Sequence, residues 1–138
     1  MRQRQAEMEF ATRGPGLLEI TREICDWVGD QGVGTGLLTV FLRHTSASLL
    51  IQENADPDVL ADLADAYARL APEGPHYRHD TEGPDDMPAH IRTALSQSQL
   101  SIPVSAGAPM LGTWQGIFLF EHRHRPHRRR CVLHLLGD

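Results

Sequence analysis

The spacing of apolar residues predicts a chain in which short strands outnumber helices. Residues 4–12 alternate loosely between apolar and polar side chains, as a half-buried strand does, and the run Leu37–Leu42 is apolar enough for a buried strand. Three later apolar stretches, separated by Gly and Pro turns, predict strands over residues 100–104, 112–122 and 130–136. Strands therefore dominate the second half of the chain.

Three other segments carry helical signals. Apolar residues recur at helical spacing over Thr21–Asp30, with Thr21 as a candidate N-cap. Asp56 followed by proline is a strong helix start, and the apolar stripe behind it predicts a helix over Pro57–Ala71. A shorter helix is expected over Pro88–Ser96, because proline is well suited to the first turn.

This order of elements favours an α+β fold in which mixed, β-sandwich-like sheets are covered by packed helices. No internal repeat or linker interrupts the 138 residues, so we expect one domain over residues 1–138. The polar segment 72–84 holds three prolines and two glycines. It is longer than most connections in a compact domain, and such loops often carry function.

Composition excludes several kinds of chemistry. The chain contains no lysine, so Schiff-base catalysis and a P-loop lysine are excluded, and any anion must be held by arginine, backbone amides or hydroxyls. The two cysteines do not make a disulfide framework. No apolar run approaches the roughly 20 residues that cross a bilayer, so we expect a cytoplasmic protein with no membrane partner.

Residues 122–130 pack five arginines and three histidines into nine positions, although the formal net charge of the chain is −5. Pro126 interrupts this basic run and apolar stretches flank it, which favours a solvated hairpin turn between two strands. The overall acidity and the absence of interleaved aromatic residues argue against a nucleic-acid partner.

Candidate metal ligands lie where a scaffold commonly presents reactive groups. His44 follows the buried strand, His79 lies in the long loop, and His90 lies in the last predicted helix. Neutral imidazoles are good ligands for zinc and related ions, so the three histidines are candidates for one divalent metal site. Their spacing matches no compact metal motif, and each histidine could equally satisfy local hydrogen bonds.

Other polar residues near these histidines are candidates for catalysis and binding. Glu82 has no evident structural duty and is a candidate general base, whereas Asp86 would also face the positive N-terminus of the next helix. Glu121 and Arg123 should point to the same side of a strand, as an exposed ion pair or as an acid and an anion-holding arginine in a pocket. Hydroxyls that suit a phosphate come from Thr45, Ser46 and Ser48.

Several ordered motifs resemble those of the YjbQ-like family, which is catalogued as uncharacterised and sometimes labelled secondary thiamine-phosphate synthase. The resemblance covers nearly the whole chain. The motifs are His44-Thr-Ser-Ala-Ser48, Glu53-Asn54 with Asp56-Pro57, His79-Asp80 with Glu82-Gly83, Asp85-Asp-Met-Pro88 with His90-Ile91, and Gly112-Thr-Trp-Gln-Gly-Ile117 with Glu121-His-Arg123. The resemblance implies a β-sandwich-like α+β fold, a homotrimer, and a pocket that gathers the motif residues, Asn54 among them.

Three functions follow from these features. The first is coupling of hydroxymethylpyrimidine diphosphate to a thiazole phosphate, with zinc or magnesium on the departing diphosphate and Arg123 and Ser46 on phosphate oxygens. The chain is too short for the roughly 250-residue barrel that dedicated enzymes resemble, so this would be a side activity. The alternatives are a metal-dependent hydrolase and a non-enzymatic trimer that binds an anionic metabolite.

Overall fold

A computed structural model describes all residues, 1–138, and contains eight strands and three helices. In chain order the elements are β1 (Arg2–Ala11), β2 (Gly16–Glu19), α1 (Thr21–Asp30), β3 (Gly36–Leu42), β4 (Ala47–Glu53), α2 (Pro57–Leu70), α3 (Asp86–Leu95), β5 (Gln99–Ser105), β6 (Ala108–Pro109), β7 (Gln115–Glu121) and β8 (Arg128–Gly137). The predicted α+β class is confirmed. None of the three helices has both the length and the apolar character needed to span a membrane.

The strands form two antiparallel sheets. The larger sheet has the order β1-β8-β3-β5-β6, and the smaller sheet has the order β2-β7-β4. Every strand pair is antiparallel, so the sheets are not mixed as the sequence suggested. A core of 17 buried residues draws on both sheets and on α1, which contributes Ile24 and Val28.

The helices agree closely with the prediction, and the differences lie at the starts of α1 and α3. α2 begins as predicted, with the Asp56 carboxylate accepting a hydrogen bond from the Asp58 N–H at 2.9 Å. Thr21 is the first helical residue and not the N-cap, because its hydroxyl is hydrogen-bonded to Glu19 and to the Ile117 N–H. α3 begins at Asp86, two residues before the predicted start, so Pro88 lies within its first turn.

Three strands, β2, β4 and β6, were not predicted, and the basic segment 122–130 is not a hairpin. β7 and β8 belong to different sheets, so the segment between them passes from one sheet to the other. It is also only partly solvated, since His122 is 1% exposed and Arg129 is 3% exposed. Both flanking strands were assigned correctly. The hairpin prediction was wrong because each of them pairs with strands elsewhere in the sequence and not with the other.

A buried ion pair joins the two sheets where the chain crosses. Glu121, at the end of β7, is 1% exposed and accepts from Nε of Arg129 on β8 at 2.7 Å and from its NH2 group. The Thr12 hydroxyl donates to Glu121 at 2.6 Å, which adds the segment after β1. The carboxylate also accepts from the backbone N–H groups of His122 and Arg123, which fixes the start of the crossing.

Glu121→Gln is expected to destabilise the protein by about 3–5 kcal/mol, because it leaves the Arg129 charge buried without its partner. Urea denaturation of the variant and the wild type measures this difference. Glu9→Gln is the matched control, because Glu9 pairs with the 77% exposed Arg128, and an exposed pair contributes about 1 kcal/mol or less. Equal losses of stability in the two variants would contradict the conclusion that the buried pair stabilises the fold more than the exposed pair does.

Candidate functional site

The first turn of α3 and the loop before it form a cluster of two imidazoles and one carboxylate. Asp86 begins α3, and His90 follows it by four residues, so the two side chains share one face of the helix. His79 reaches the same place from the loop between α2 and α3. The long loop predicted from its composition therefore delivers one of the three groups.

The ligand atoms of His79, Asp86 and His90 all lie within 4.8 Å of one another. Asp86 Oδ2 is 2.7 Å from His79 Nε2 and 3.2 Å from His90 Nε2. The two rings meet edge to face, with centroids 5.5 Å apart. The Asp86 side chain is only 3% exposed, whereas those of His79 and His90 are 45% and 31% exposed, so the imidazoles remain open to solvent.

Arg123 holds the other side of the cluster in place. Its NH1 group donates to Asp86 Oδ1 at 2.7 Å, and its Nε donates to Asp85 Oδ2 at 3.0 Å. Its NH2 group donates to the Glu82 carbonyl at 2.9 Å. Gly83, with φ at +103°, allows the turn that brings Glu82 and Asp85 onto one guanidinium. The Arg123 side chain is therefore engaged within the protein.

Both aspartates are held as carboxylates. Burial raises the pKa of Asp85, but the His124 N–H and the Arg123 guanidinium outweigh burial and lower the pKa to about 2. Burial also raises the pKa of Asp86. A hydrogen bond from His79 and the charges of His90 and Arg123 outweigh burial and lower that pKa. Asp86 therefore carries a negative charge at neutral pH.

The orientation of His90 is fixed by a backbone carbonyl. Its Nδ1 lies 3.0 Å from the Thr45 carbonyl oxygen, which can only accept, so Nδ1 carries the hydrogen. In a neutral ring, Nε2 then presents a lone pair to Asp86 Oδ2. In that form two acceptors face each other at 3.2 Å, and either a proton on Nε2 or a metal ion beside the two atoms satisfies both.

His44 does not join this cluster. Its Nε2 accepts the Arg130 backbone N–H at 2.7 Å, and its Nδ1 lies 3.3 Å from NH1 of Arg129. Burial, followed by the charge of Arg129, lowers its pKa, so the ring is neutral. The three predicted histidines therefore do not converge in this chain. His79 and His90 meet, and Asp86 takes the third place because it shares a helix face with His90.

The predicted hydroxyl groups lie in three different environments. Ser46 Oγ accepts from Arg129 NH2 at 3.0 Å, next to His44, and Thr45 is exposed beside it. Ser48 is fully buried and hydrogen-bonded to His122 Nε2 at 2.9 Å. Burial, with the charge of Arg92, lowers the pKa of His122 to about 3. This serine–histidine pair has no access to a substrate, which argues against a nucleophilic triad.

The remaining predicted site residues divide between the cluster and the rest of the fold. Glu82 lies at the cluster, with Oε2 3.9 Å from His79 Nε2 and a side chain that is 65% exposed. Asn54 lies at the opposite end of β4 from Thr45 and is hydrogen-bonded to Glu19. Glu121 is buried against Arg129, so proton transfer by Glu121 would require that pair to break.

Sequence reasoning missed the role of Arg129. The buried side chains Cys131, Leu133 and Leu135 alternate along β8, and the same period of two extended backwards reaches residue 129. That signal was present in the sequence but was hidden by the surrounding arginines. The pairing of Asp85 with Arg123 was also missed, because it has no local sequence signature.

Taken together, the fold and the cluster define an α+β protein with two antiparallel sheets and a His-Asp-His group at one helix start. Residues 6–138 match the family model for UPF0047 protein YjbQ-like proteins, and the chain belongs to this family. It is 56% identical to UPF0047 protein sll1880 of Synechocystis sp. over 99% of this chain and 94% of that protein. It is 40% identical to UPF0047 protein YjbQ of Escherichia coli, over 97% of this chain and 98% of that protein.

Solved structures share the fold. A conserved hypothetical protein from Thermus thermophilus superposes with a TM-score of 0.84 at 33% identity, over 95% of this chain and 99% of that one. A protein of unknown function from Sulfolobus solfataricus, described as YbjQ-like, gives 0.88 at 20% identity, over 99% and 100% of the two chains, and supports the fold alone. The resemblance noted from the motifs is thereby confirmed.

Asp85→Asn is expected to reduce stability most at neutral pH. The pKa of Asp85 is about 2 in the folded protein against an ordinary 3.8, so the carboxylate contributes roughly 2 kcal/mol above pH 4. Because the folded pKa is the lower one, this contribution is lost as the pH falls from about 4 to about 2. Urea denaturation of the wild type and the variant across this pH range measures how far their free energies of unfolding converge.

Asp80→Asn is the control, because Asp80 is exposed in the same loop and its replacement should change stability by about 0.5 kcal/mol or less. A difference between the wild type and Asp85→Asn that stays constant from pH 7 to pH 2 would contradict the ion pair with Arg123.

Proposed function

We propose that this protein is a divalent-metal-dependent enzyme that acts on a phosphorylated small molecule, with His79, Asp86 and His90 as the metal ligands. The observation that carries the proposal is the orientation of His90. Its Nδ1–H is held by the Thr45 carbonyl, so the lone pair of the neutral ring is directed at a carboxylate oxygen 3.2 Å away. A metal-binding histidine typically has its second nitrogen held by such a carbonyl.

The donor set fits zinc better than magnesium. Two imidazoles and one carboxylate are the ligands of several catalytic zinc sites, which leave a position open for water or substrate. Magnesium prefers oxygen ligands and would use only Asp86 fully. An ion bound here would lower the pKa of a water molecule and polarise a phosphoryl oxygen.

The surrounding residues support hydrolysis. Glu82 is 65% exposed and lies at the edge of the cluster, 3.9 Å from His79, where its carboxylate can accept a proton from water. Arg123 is committed to Asp85 and Asp86, so its task is to orient the carboxylate ligand and not to hold a phosphate. Hydrolysis needs no reactant besides water, which makes it the function that this geometry supports best.

The coupling of two phosphorylated reactants to thiamine phosphate is the second candidate. It is favoured by two separate cavities near the cluster, one lined by Thr45, whose carbonyl contacts His90, and the other by Asp85, which shares Arg123 with Asp86. One measures about 510 Å³ and includes His44 and Arg129, and the other measures about 520 Å³ and includes Glu82 and Arg123. Each cavity offers a place for one reactant, and the ion would serve the leaving diphosphate.

Purified, untagged protein is expected to contain about one equivalent of zinc and to release phosphate from p-nitrophenyl phosphate in a chelator-sensitive manner. His90→Ala should lower both the metal content and the rate by about tenfold or more, because it removes one of three ligands. Elemental analysis measures the metal, and release of p-nitrophenol measures the rate. Glu82→Gln should keep the metal and lower the rate by about 10²-fold or more.

His76→Ala is the matched control, because His76 lies in the same loop but outside the cluster. Metal-free protein in both His76→Ala and the wild type would contradict the metal site. Metal binding with formation of thiamine phosphate, and without phosphate release from simple esters, would favour the coupling reaction. Metal and ligand binding without any turnover would favour the non-enzymatic binding protein.

We also propose that the protein is a homotrimer. Leu37 and Phe41 are 44% and 45% exposed on the outer face of the large sheet. Leu37 lies opposite Leu136 and Phe41 lies opposite Val132, with Thr39 and His134 between the two apolar pairs, so the six side chains form a mostly apolar patch. Such a patch on a small protein favours association with another surface, here a second copy of the chain.

Sedimentation equilibrium is expected to give three times the 15.4 kDa mass of the chain. Leu37→Glu should shift the protein towards the monomer, because it places a charge in the apolar patch. Leu70→Glu is the control, because Leu70 is 66% exposed on α2 and lies outside the patch. A monomeric wild type would contradict the trimer.

A further inference from the structure

A polar cavity of about 510 Å³ opens beside the cluster, where β3 ends and β8 begins. Phe41 and Leu42 form an apolar part of its lining, and the rest of the lining is cationic and hydroxyl-bearing, with no carboxylate. The polar residues that line it are Arg43, His44, Thr45, Ser46, Ser98 and Arg129. In a protein whose overall charge is negative, a cavity of this composition suits an anion.

The hydrogen on His44 can be placed from its backbone contact. The Arg130 N–H can only donate, and it lies 2.7 Å from His44 Nε2, so Nε2 carries no hydrogen. The pKa of His44 is lowered by burial and by Arg129, which keeps the ring neutral. The hydrogen of the neutral ring therefore lies on Nδ1, on the side of the cavity.

Two donors then face each other. Arg129 NH1 lies 3.3 Å from His44 Nδ1 and has no other hydrogen-bonding partner in the structure, whereas Nε and NH2 of the same guanidinium are bonded to Glu121 and Ser46. Two donor groups that face each other form no hydrogen bond. An oxygen atom between or beside the two groups would accept from both.

A third donor lies next to them. Ser46 Oγ accepts from Arg129 NH2 at 3.0 Å, which leaves its own hydrogen free to donate. Arg43 adds positive charge at the rim, where it makes only a long contact of 3.5 Å with Glu7. The Arg129 side chain is 3% exposed and held by Glu121, so this group of donors is rigid.

We propose that the phosphoryl group of the substrate binds in this cavity, on His44 Nδ1–H, Arg129 NH1 and the Ser46 hydroxyl. The assignment to a phosphoryl group rests on the proposed function, whereas the arrangement of donors stands without a metal. Thr45 connects the two sites, because it lines the cavity and its carbonyl orients His90. His44 and Ser46, which would hold the phosphoryl group, are the sequence neighbours of Thr45, whose carbonyl orients the metal ligand His90.

The test is a titration of metal-depleted protein with inorganic phosphate, followed by ¹H–¹⁵N correlation of the histidine side chains. Before addition, His44 is expected to show the Nδ1-protonated neutral form. Phosphate should shift the His44 signals saturably and leave those of His134, on the outer face of the large sheet, unchanged. A different tautomer of His44, or no shift with phosphate, overturns the proposal.

Two variants and a control locate the binding site. Ser46→Ala and His44→Ala are each expected to weaken phosphate binding by about tenfold, the usual loss for one hydrogen bond to a charged group. Ser46→Ala keeps the Ser46 carbonyl as a partner of Arg129, so the fold should persist. Arg125→Gln is the control, because Arg125 belongs to the same basic segment but lies outside this cavity. Equal weakening in all three variants overturns the proposal.

His90→Ala separates this inference from the proposed function. Phosphate binding should survive in that variant even though its metal is lost. Phosphate binding at His44 in a protein that never binds metal would support the cavity and contradict the enzyme. Acetate that binds at His44 as tightly as phosphate would overturn the phosphoryl assignment in favour of a carboxylate.

Discussion

The ion pair between Glu121 and Arg129 is the interaction on which the arrangement of the other groups depends. Two opposite charges are almost fully withdrawn from water, and named partners satisfy the Glu121 carboxylate and the Nε and NH2 groups of Arg129. Such a pair tolerates only one geometry, because either charge left alone in the interior is costly. It therefore fixes how the two sheets meet.

Both polar sites are positioned from this pair. On one side, the Glu121 carboxylate holds the Arg123 N–H, and the Arg123 side chain then binds Asp85 and Asp86. On the other side, the remaining donors of Arg129 reach His44 and Ser46. The proposed metal cluster and the proposed anion cavity are thus connected through one buried contact, although their residues come from distant parts of the chain.

Local chemistry explains which parts of the fold the sequence predicted. Asp56 and the proline after it specify the start of α2 without help from the rest of the protein, and the apolar run of β3 signals burial on its own. By contrast, β4 follows β3 after only a short polar turn, and the sequence did not predict it as a separate strand. The crossing at residues 122–127 depends on which sheets β7 and β8 join, and that is a non-local property.

The site was predicted in part for the same reason. Asp86 and His90 share a helix face, but the predicted helix began only at Pro88, so the sequence did not group them, and His79 reaches them from the long loop before α3. His44 differs because its ring is turned by Arg129 and the Arg130 N–H, two contacts made across the sheet more than 80 residues away in sequence. Motif residues that lie close in the chain need not present their side chains to the same point.

Charge balance explains how a cation and an anion can be held side by side. The two oxygens of Asp86 have different partners, because Oδ1 accepts from Arg123 and Oδ2 faces the two imidazoles. Arg123 is shared between Asp85 and Asp86, so the charges of these three side chains sum to −1 before any ion binds, and a divalent cation would bring the sum to +1. A phosphoryl dianion in the adjacent cavity would offset that excess, so the two ligands should bind more tightly together than either does alone.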